Sequence, residues 1–321
     1  MLREDGECAY AIAEGVPVLL GPEAYVRNAA LPSTDLPQYA EAYSEMAVYN
    51  QVADERRDAR HESHQRSWMA AAAALAAPDR ARFPEPAAVW CDQLYEFAAQ
   101  RDAYRALAPL RGKRVLQLGG TGIHALKFLL AGAPEAWLAT PTLGEALFTV
   151  ALARIHGLLD RFHPVIAIGE ELPFADASFQ AIYSSSCLHH MVTGQAGREA
   201  RRLLVEGGVF AAIDPWRAPL HNLGTGLVGK REHGVHCRPL DASRVQAFRK
   251  SFAEASCVRY GALLRYPLLG LQKSRLTLSD RHVRALLCLD DTLCRWFPYL
   301  RRLGSAALVC ARREGRVGST S

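Results

Sequence analysis

Two periodicities alternate along the middle of the chain. Apolar runs of strand length predict β-strands at 114–118, 136–140, 164–168, 180–185 and 208–213. Helical spacing of the apolar residues between them predicts α-helices at 122–131, 143–157 and 195–204. Strands that alternate with helices form a parallel sheet with helices on both faces. The predicted fold class is therefore α/β, with a doubly wound and mostly parallel sheet.

The two ends of the chain show other patterns. Residues 1–22 predict a hairpin that turns at Glu14 and Gly15. Helical spacing recurs at 37–77 and 87–107, where aromatic residues either fill a core or cap a pocket: Tyr39, Tyr43, Tyr49, Trp68 and Trp90. Strands are predicted at 256–264 and 305–311, around an amphipathic helix at 280–298 whose apolar face belongs to the core: Val283, Leu286, Leu287, Leu293 and Phe297.

These patterns divide the chain into three parts. We expect a hairpin and helical cap at 1–108, an α/β domain at 109–313 and a disordered tail at 314–321. Glycines in the stretch 217–255 predict a loop-rich insert within the α/β domain.

Composition excludes several classes of protein. The chain of 321 residues is 50% hydrophobic and 22% charged, which is typical of a globular protein. Its net charge of +5 is small and its arginines are scattered, which argues against a nucleic-acid partner. No apolar run is long enough to span a membrane, and acidic residues near the start argue against a secretory signal. We therefore expect a cytoplasmic protein with no membrane partner, whose eight dispersed cysteines fill the core without forming disulfides.

A glycine cluster directly follows the predicted strand at 114–118. Gly119, Gly120 and Gly122 permit positive φ angles and let the backbone approach a ligand that a Cβ would exclude. In open α/β sheets, ligands bind at the carboxyl ends of the strands, where this loop lies. The alternative is a plain turn between a strand and a helix. The chain has neither GxGxxG nor the phosphate-loop pattern here, so the cluster does not predict phosphate binding.

The order of the later motifs narrows the choice of ligand. After VLQLGGTG come GEELPFADASFQAIYSSSCLHHM and then EARRLLVEGGVFAAIDPW. This order, over about 110–215, resembles the class I S-adenosylmethionine-dependent methyltransferases, and most closely the bacterial group that modifies small molecules. The resemblance implies a seven-stranded, Rossmann-like sheet and S-adenosyl-L-methionine as the cofactor at the glycine loop. It also implies that Leu172, Ser184 and Ser185 line the cofactor pocket.

The N-terminal stretch AYAIAEGVPVLL carries a second resemblance. It is similar to the last hairpin of a zinc-ribbon-like domain that often precedes such methyltransferases. Cys8 alone cannot complete a four-ligand zinc site. We therefore expect a metal-free remnant that serves in packing.

The chain departs from the family at three acidic positions. It has Gln117 at the end of the first strand, Thr140 at the end of the second, and Ile168 where an aspartate usually lies near the adenine. A carboxylate that accepts hydroxyl hydrogen bonds stabilises the complex by about 1.5–3 kcal/mol for each bond. The departures therefore require other acceptors.

Four residues near these positions can replace the missing carboxylates. Gln117 can accept a hydrogen bond from the cofactor ammonium group, and Glu145 can reach the ribose. Glu170 or Glu171 can serve the adenine. The alternatives are that Glu145 only occupies a helix N-terminus and that Glu170 faces solvent.

Two histidines are candidates for the chemistry. Methyl transfer from a sulfonium needs an aligned acceptor, and a hydroxyl acceptor also needs a base. His189 and His190 follow the fourth predicted strand at the rim where an acceptor would lie, and histidine suits general-base work near neutral pH. The alternative is that this LHH turn, which recurs in the resembling group, is structural.

The stretch after 213 is expected to shape the acceptor pocket. The residues proposed for this role are Trp216, Arg217, His221 and His236. His233, His236 and Cys237 have the spacing of one helical face, which metal ligands use. No fourth ligand is evident, so we predict no metal site.

The sequence thus favours a methyltransferase that acts on an O or N atom of a small-molecule acceptor, as in secondary metabolism. One alternative is a related fold that has lost methyl transfer and binds another ligand or partner. An RNA methyltransferase would need a basic face beside the pocket. The chain is either a monomer or a homodimer.

Overall fold

A computed structural model describes residues 12–20, 46, 48–51, 94–219, 238–274 and 278–315. The strands of this part are β1 (Ile12–Ala13), β2 (Val16–Pro17), β3 (Val115–Leu118), β4 (Ala136–Thr140), β5 (Phe162–Ile166), β6 (Phe179–Ser185), β7 (Leu204–Pro215), β8 (Glu254–Tyr260) and β9 (Ala306–Arg312). Its α-helices are α1 (Phe97–Leu107), α2 (Ile123–Leu130), α3 (Leu143–Ile155), α4 (Thr193–Leu203), α5 (Ala242–Arg249), α6 (Arg265–Lys273) and α7 (Asp280–Trp296).

Strands β3 to β9 form one seven-stranded sheet in the order β5-β4-β3-β6-β7-β9-β8. The strands from β5 to β7 in this order are parallel, whereas β9 is antiparallel to both β7 and β8. The predicted α/β class and the mostly parallel, doubly wound sheet are confirmed. From β3 the chain moves outward to β4 and β5, and it then returns to β6 on the other side of β3. Such a reversal opens a crevice at the carboxyl ends of the two central strands.

Most predicted strands match the observed ones closely, but the third is displaced. The prediction at 164–168 is wrong by two residues, because β5 spans Phe162–Ile166. Pro164 lies inside β5, which is tolerated because β5 is the last strand on its side of the sheet. Ile168 has left the strand and instead bridges to Glu171.

The N-terminal hairpin covers the outer edge of β5. Strands β1 and β2 pair antiparallel, as predicted. The chain then continues to Val18, which bridges to Ile166, while the Leu19 N–H donates a hydrogen bond of 2.8 Å to the Ile166 carbonyl. Val16, Val18 and Leu20 are buried in the core cluster that includes α3. The hairpin therefore packs on the sheet and shields an edge that would otherwise be open to pairing; Cys8 lies outside the described residues.

Helices α5 and α6 were not predicted from the sequence. Helix α5 has weak amphipathicity and begins at Asp241, whose carboxylate accepts the Arg244 N–H at 3.0 Å. Helix α6 contains Pro267 and Gly270, which disfavour a helix. A distant carboxylate compensates, because Asp290 of α7 accepts backbone N–H groups of the chain entering α6 at 262–264.

The buried face of α7 differs from the predicted apolar face. Val283 and Leu287 are buried as expected, but Phe297 is 45% exposed because the helix ends at Trp296 and the chain turns outward. Asp290 and Asp291 are buried in its place. Asp291 accepts hydrogen bonds from Arg295 and Arg301, so its charge is paired within the fold.

Arg202 of α4 connects the segment that precedes β6 to the helix that follows β6. Its guanidinium donates to the carbonyls of Leu172 and Phe174 at 2.9 and 2.6 Å. It also pairs with Glu199 and Asp176, at 2.6 and 2.8 Å. These carboxylates raise the pKa of Arg202 further above its ordinary value, with the Glu199 hydrogen bond as the main cause. One side chain thus fastens the LPF segment to α4, which explains why these motifs occur together.

Three further expectations concern the cysteines, a membrane-spanning helix and the two ends of the chain. The five cysteines in the described part form no disulfide, and burial raises the pKa of the Cys310 thiol to about 12, so the thiol stays protonated. No helix in the described ranges is long and apolar enough to cross a membrane. Most of the predicted helical cap at 37–77 and the tail beyond residue 315 lie outside the described residues.

Replacing Arg202 with Met tests its connecting role. The variant removes the charge-assisted hydrogen bonds to two segments and leaves Glu199 without its cation. Because the side chain is partly exposed, we expect the free energy of unfolding to fall by about 2–3 kcal/mol. Denaturant unfolding followed by circular dichroism measures this change.

Arg154→Met is the matched control, since Arg154 is exposed in α3 and its side chain forms no hydrogen bond or ion pair with another described residue. If both variants unfold at the same denaturant concentration, Arg202 does not carry the connection.

Candidate active site

Residues from four strands meet at the carboxyl edge of the sheet. The Gly119 N–H donates to the Ala139 carbonyl at 2.7 Å, and the Ser186 N–H donates to the Ile213 carbonyl at 2.7 Å. The ends of β3, β4, β6 and β7 therefore lie along one line. Most of the sequence-predicted site residues follow these ends directly.

Gln117 holds the glycine loop in place from within β3. Its side chain is 1% exposed. Its Nε2 donates to the Gly119 carbonyl at 2.9 Å, and its Oε1 accepts the Ala125 N–H of α2 at 2.8 Å. The amide thus joins the loop to the first turn of the helix that follows. The predicted contact with a cofactor ammonium group stays a prediction, because the first role of both amide atoms is structural.

The three glycines of the loop have different surroundings. All have positive φ, at +73° for Gly119, +68° for Gly120 and +83° for Gly122. A Cβ on Gly119 would lie 2.5 Å from Cys187 Sγ, and one on Gly122 would lie 2.8 Å from Leu138 Cδ2. A Cβ on Gly120 would meet no atom closer than 3.8 Å. Contacts within the protein therefore require glycine at 119 and 122, whereas a Cβ on Gly120 would make only ordinary van der Waals contacts and is opposed by the positive φ alone.

The end of β4 lacks an acid but has one nearby. Thr140 is fully buried, and its Oγ1 accepts the Thr142 N–H at 3.3 Å. Glu145, in the first turn of α3, is also buried at 9% exposure. Asn50 from the N-terminal segment reaches the same turn, where its Oδ1 accepts the Gly144 N–H at 2.7 Å. The N-terminal segment thus caps the helix that carries Glu145.

The acidic pair after β5 splits into two roles. Glu170 accepts the Val192 N–H at 2.7 Å, which joins its turn to the segment before α4. Glu171 is exposed, and its N–H donates to the Ile168 carbonyl at 3.3 Å. Leu172 is buried, and its N–H donates to Glu199. The carboxylate of Glu171 is therefore the more accessible of the two.

Ser184 and Ser185 lie at the carboxyl end of β6. Ser184 pairs with Leu118 in the sheet register, which places it beside the strand that leads into the glycine loop. Its hydroxyl is buried and has no hydrogen-bond partner among the residues that the structure describes. Ser185 is also buried. A buried hydroxyl without a protein partner is a feature that needs a ligand or water to satisfy it.

His189 and Asp214 form a buried pair between β6 and β7. His189 Nδ1 lies 2.8 Å from Asp214 Oδ1, and the same oxygen accepts the His189 backbone N–H at 3.0 Å. Their side chains are 3% and 0% exposed. An ionised carboxylate only accepts hydrogen bonds, so Nδ1 carries the hydrogen and Nε2 is the basic nitrogen. His190 is half-buried with its ring 3.8 Å from that of His189.

The acceptor-side residues are described only in part. Trp216 is half-buried, its N–H donates to the Ser305 carbonyl at 2.8 Å, and the Arg259 guanidinium lies 5.1 Å from its ring centroid. Arg217 is exposed beyond the end of β7. His221 and His236 lie outside the described residues, as do His233 and Cys237. In the described ranges no three His, Cys, Asp or Glu side chains cluster as metal ligands would.

Sequence reasoning missed three contributors to this site. Cys187 was treated as a core cysteine, yet it packs against Gly119. Asn50 lies in the stretch predicted as helical at 37–77, and no local pattern indicates that it reaches α3, 94 residues away. Asp214 was placed on the acceptor side, but its partner was not identified. The available signal was that Asp214 lies near the end of a strand whose neighbour leads directly into His189 and His190.

Two comparisons in sequence bear on the identity of this fold. The family model described as a methyltransferase domain matches residues 146–212. The chain is 34% identical over 119 residues to demethylmenaquinone methyltransferase of Clavibacter sepedonicus, covering 36% of this chain and 45% of that protein. The chain therefore spans less than half the length of this relative.

A comparison of structures agrees with them. The fold is similar to that of geranyl diphosphate C-methyltransferase from Streptomyces coelicolor A3(2), with a TM-score of 0.51 and 15% identity. The match covers 75% of this chain and 87% of that chain. At this identity the likeness shows the fold alone. The matched segment, residues 146–212, is therefore similar to a methyltransferase domain, and the whole sheet has the fold of a known methyltransferase.

Proposed function

We propose that the chain transfers a methyl group from S-adenosylmethionine to an O or N atom of a small-molecule acceptor. One observation carries this proposal: the Gly120 turn, where even a Cβ would meet no atom closer than 3.8 Å, lies at the point where the winding of the sheet reverses. Ligands of doubly wound folds bind at this point. The matched methyltransferase segment begins in α3 and ends within β7, so it includes β6, one of the two strands whose ends border the crevice.

The residues present fit the methyl donor. Gly120 can lie against a ligand without a Cβ in the way. Glu145 supplies a buried carboxylate close to the position where the family usually has its ribose acid. Ser184 offers a hydroxyl that no described residue satisfies, and Glu171 offers an exposed carboxylate for the adenine side. When bound, S-adenosylmethionine supplies an electrophilic methyl group on a sulfonium.

The His189–Asp214 pair supports an O or N acceptor. A hydroxyl or ammonium acceptor must lose a proton to become a good nucleophile, and a histidine with a basic Nε2 can take it. Asp214 fixes the tautomer of His189 and stabilises the imidazolium that forms. Its second oxygen, Oδ2, is buried with no hydrogen-bond partner in the described part of the chain, which makes a neighbouring positive charge more favourable.

The substrates of the similar proteins support a small acceptor. These proteins are methyltransferases of demethylmenaquinone and of geranyl diphosphate, both small organic molecules. The cytoplasmic location and the choice between monomer and homodimer stay predictions.

A specific observation favours a second candidate function. Cys187 packs against Gly119, and the Gln117 amide forms hydrogen bonds with the glycine loop and α2. The Thr140 hydroxyl accepts the backbone N–H of Thr142. A crevice altered in this way suits a fold that binds another ligand or a partner without transferring a methyl group.

Calorimetric titration with S-adenosylmethionine separates the two candidates. A methyltransferase should bind with a dissociation constant well below millimolar. Gly120→Ala should weaken binding at least tenfold, because its Cβ enters the space beside the loop, while the strain at positive φ costs about 1–2 kcal/mol of stability. Gly119→Ala should destabilise more strongly, since its Cβ meets Cys187. Binding of the wild type no tighter than millimolar would favour the second candidate.

Replacing Glu145 with Gln tests the substitute acid. Loss of a charge-assisted hydrogen bond to the ribose should weaken S-adenosylmethionine binding about tenfold or more, since each such bond contributes about 1.5–3 kcal/mol. Glu206→Gln, an exposed acid at the opposite edge of the sheet, is the control and should bind like the wild type. Equal affinities in all three proteins would remove Glu145 from the site.

Asp214→Asn tests the base. With the tautomer of His189 no longer fixed, the rate of methyl transfer to a hydroxyl acceptor should fall about a hundredfold or more. The acidic limb of the pH–rate profile, which reports the titrating base, should change with it, while binding of S-adenosylmethionine stays the same. Formation of S-adenosylhomocysteine from a panel of phenols and amines provides the assay. A rate and profile identical to the wild type would show that neither residue acts as the base.

A further inference from the structure

A basic groove lies between α4 and α5, with a volume of about 600 Å³. Gly194 and Ala247 line it where the two helices approach each other. Toward the C-terminal ends of the two helices the groove is lined by Arg198, Arg201 and Lys250, with Ser251 beside them. The groove is thus concave, and cations predominate among its polar side chains.

The close approach of the two helices creates this groove. A Cβ on Gly194 would lie 3.8 Å from the Ala247 Cβ, and a Cβ on Gly197 would lie 2.7 Å from the Phe248 carbonyl oxygen. Small residues thus let the backbones of α4 and α5 come together. The small residues Gly194 and Ala247 line the groove between the helices, and the long basic side chains of the same region line the rest of it.

Two of the arginines at the groove are already engaged. Arg202 pairs with Glu199 and Asp176, as described above. Arg313 donates to the backbone carbonyls of Arg202 and Leu204. These side chains belong to the fold, so they contribute little to recognition.

The other three cations have no such partners. The side chains of Arg198, Arg201 and Lys250 form no hydrogen bond or ion pair with any residue that the structure describes. Three positive charges that line one concavity repel each other, and an anion bound between them would relieve that repulsion. The two guanidinium groups can each donate two parallel hydrogen bonds to a phosphate.

The groove is separate from the candidate active site. Helix α4 ends at Leu203, directly before β7 begins at Leu204, and Arg313 follows the end of β9. Arg312 pairs with Val209 near the start of β7. The cationic end of the groove therefore lies toward the amino edge of the parallel strands, whereas the glycine loop and His189 lie at the carboxyl edge.

We infer that this groove binds a small molecule with two linked phosphate groups. Each phosphate carries about 1.5–2 negative charges near pH 7, so two phosphates match three cations. The volume lies within the range of about 300–1,000 Å³ that is usual for small-molecule sites. A purely structural role is the competing explanation, because cations near helix C-termini also offset the negative end of the helix dipole.

Calorimetric titration of the full chain with inorganic pyrophosphate at low salt tests the inference. We expect saturable binding at one site, tighter than binding of inorganic phosphate. The double variant Arg198→Gln/Arg201→Gln should weaken it at least tenfold. Lys250→Glu, a change at an exposed position, should abolish it and serves as a second variant if the double variant does not fold. Arg154→Gln, which removes one exposed charge in α3, should bind like the wild type.

Further titrations distinguish the sources of the phosphate groups. Nucleoside diphosphate represents a soluble metabolite, and vesicles containing a prenyl diphosphate lipid represent a lipid headgroup. Preference for vesicles assigns the site to lipid phosphate, and preference for the nucleotide assigns it to a metabolite. Tighter binding of an RNA oligonucleotide than of pyrophosphate would overturn the inference.

Two other outcomes would also overturn the inference. One is an equal loss of affinity in Arg154→Gln, which would indicate a diffuse effect of net charge. The other is a lower melting temperature of the groove variants with unchanged pyrophosphate affinity, as the helix-dipole explanation predicts. S-adenosylmethionine binding should be unchanged in all variants, so failure of this inference is distinguishable from failure of the proposed function.

Discussion

The parallel pairing of β3 with β4 and of β6 with β3 and β7 is the constraint on which the site depends. Parallel strands in register end at the same edge, so residues that are far apart in sequence come together there. Gly119, Ser185 and Asp214 are separated by dozens of residues, yet each lies at or directly beside the carboxyl end of a neighbouring strand. Every candidate for cofactor binding or catalysis in this chain is presented by that edge or by a turn directly after it.

The glycine loop shows how a neutral side chain can do the structural work of an acid. Gln117 accepts the Ala125 N–H, as a carboxylate could, and it also donates to the Gly119 carbonyl, which an ionised carboxylate cannot do. The loop is therefore closed on both sides by one amide. This arrangement removes a negative charge from the crevice, which leaves Glu145 as the buried acid beside it. Recognition of a cationic sulfonium cofactor then depends more strongly on residues outside β3.

The fold was predictable because its signals are local and repeated. The strand at 136–140 matches the structure residue for residue, and the helix predicted at 143–157 begins at the predicted residue and ends two residues earlier, since apolar runs and turn residues define them. Helix α6 was not predictable, because Pro267 and Gly270 oppose it and the stabilising carboxylate of Asp290 comes from another helix. The same reason applies to the site. The LHH turn identified His189, but its pairing with Asp214 depends on strand order, which no local pattern contains.

The two edges of the sheet differ in their electrostatic character for a physical reason. At the carboxyl edge His189 and Asp214 form a buried pair, which suits proton transfer. Toward the amino edge, Arg198 and Lys250 are exposed, and solvent screens their mutual repulsion enough for them to stay close together. Arg202 belongs to both regions, because it lines the basic groove and also holds Leu172 and Phe174 next to the cofactor crevice. An anion in the groove would act on the same helix, α4, whose first turn follows the histidines.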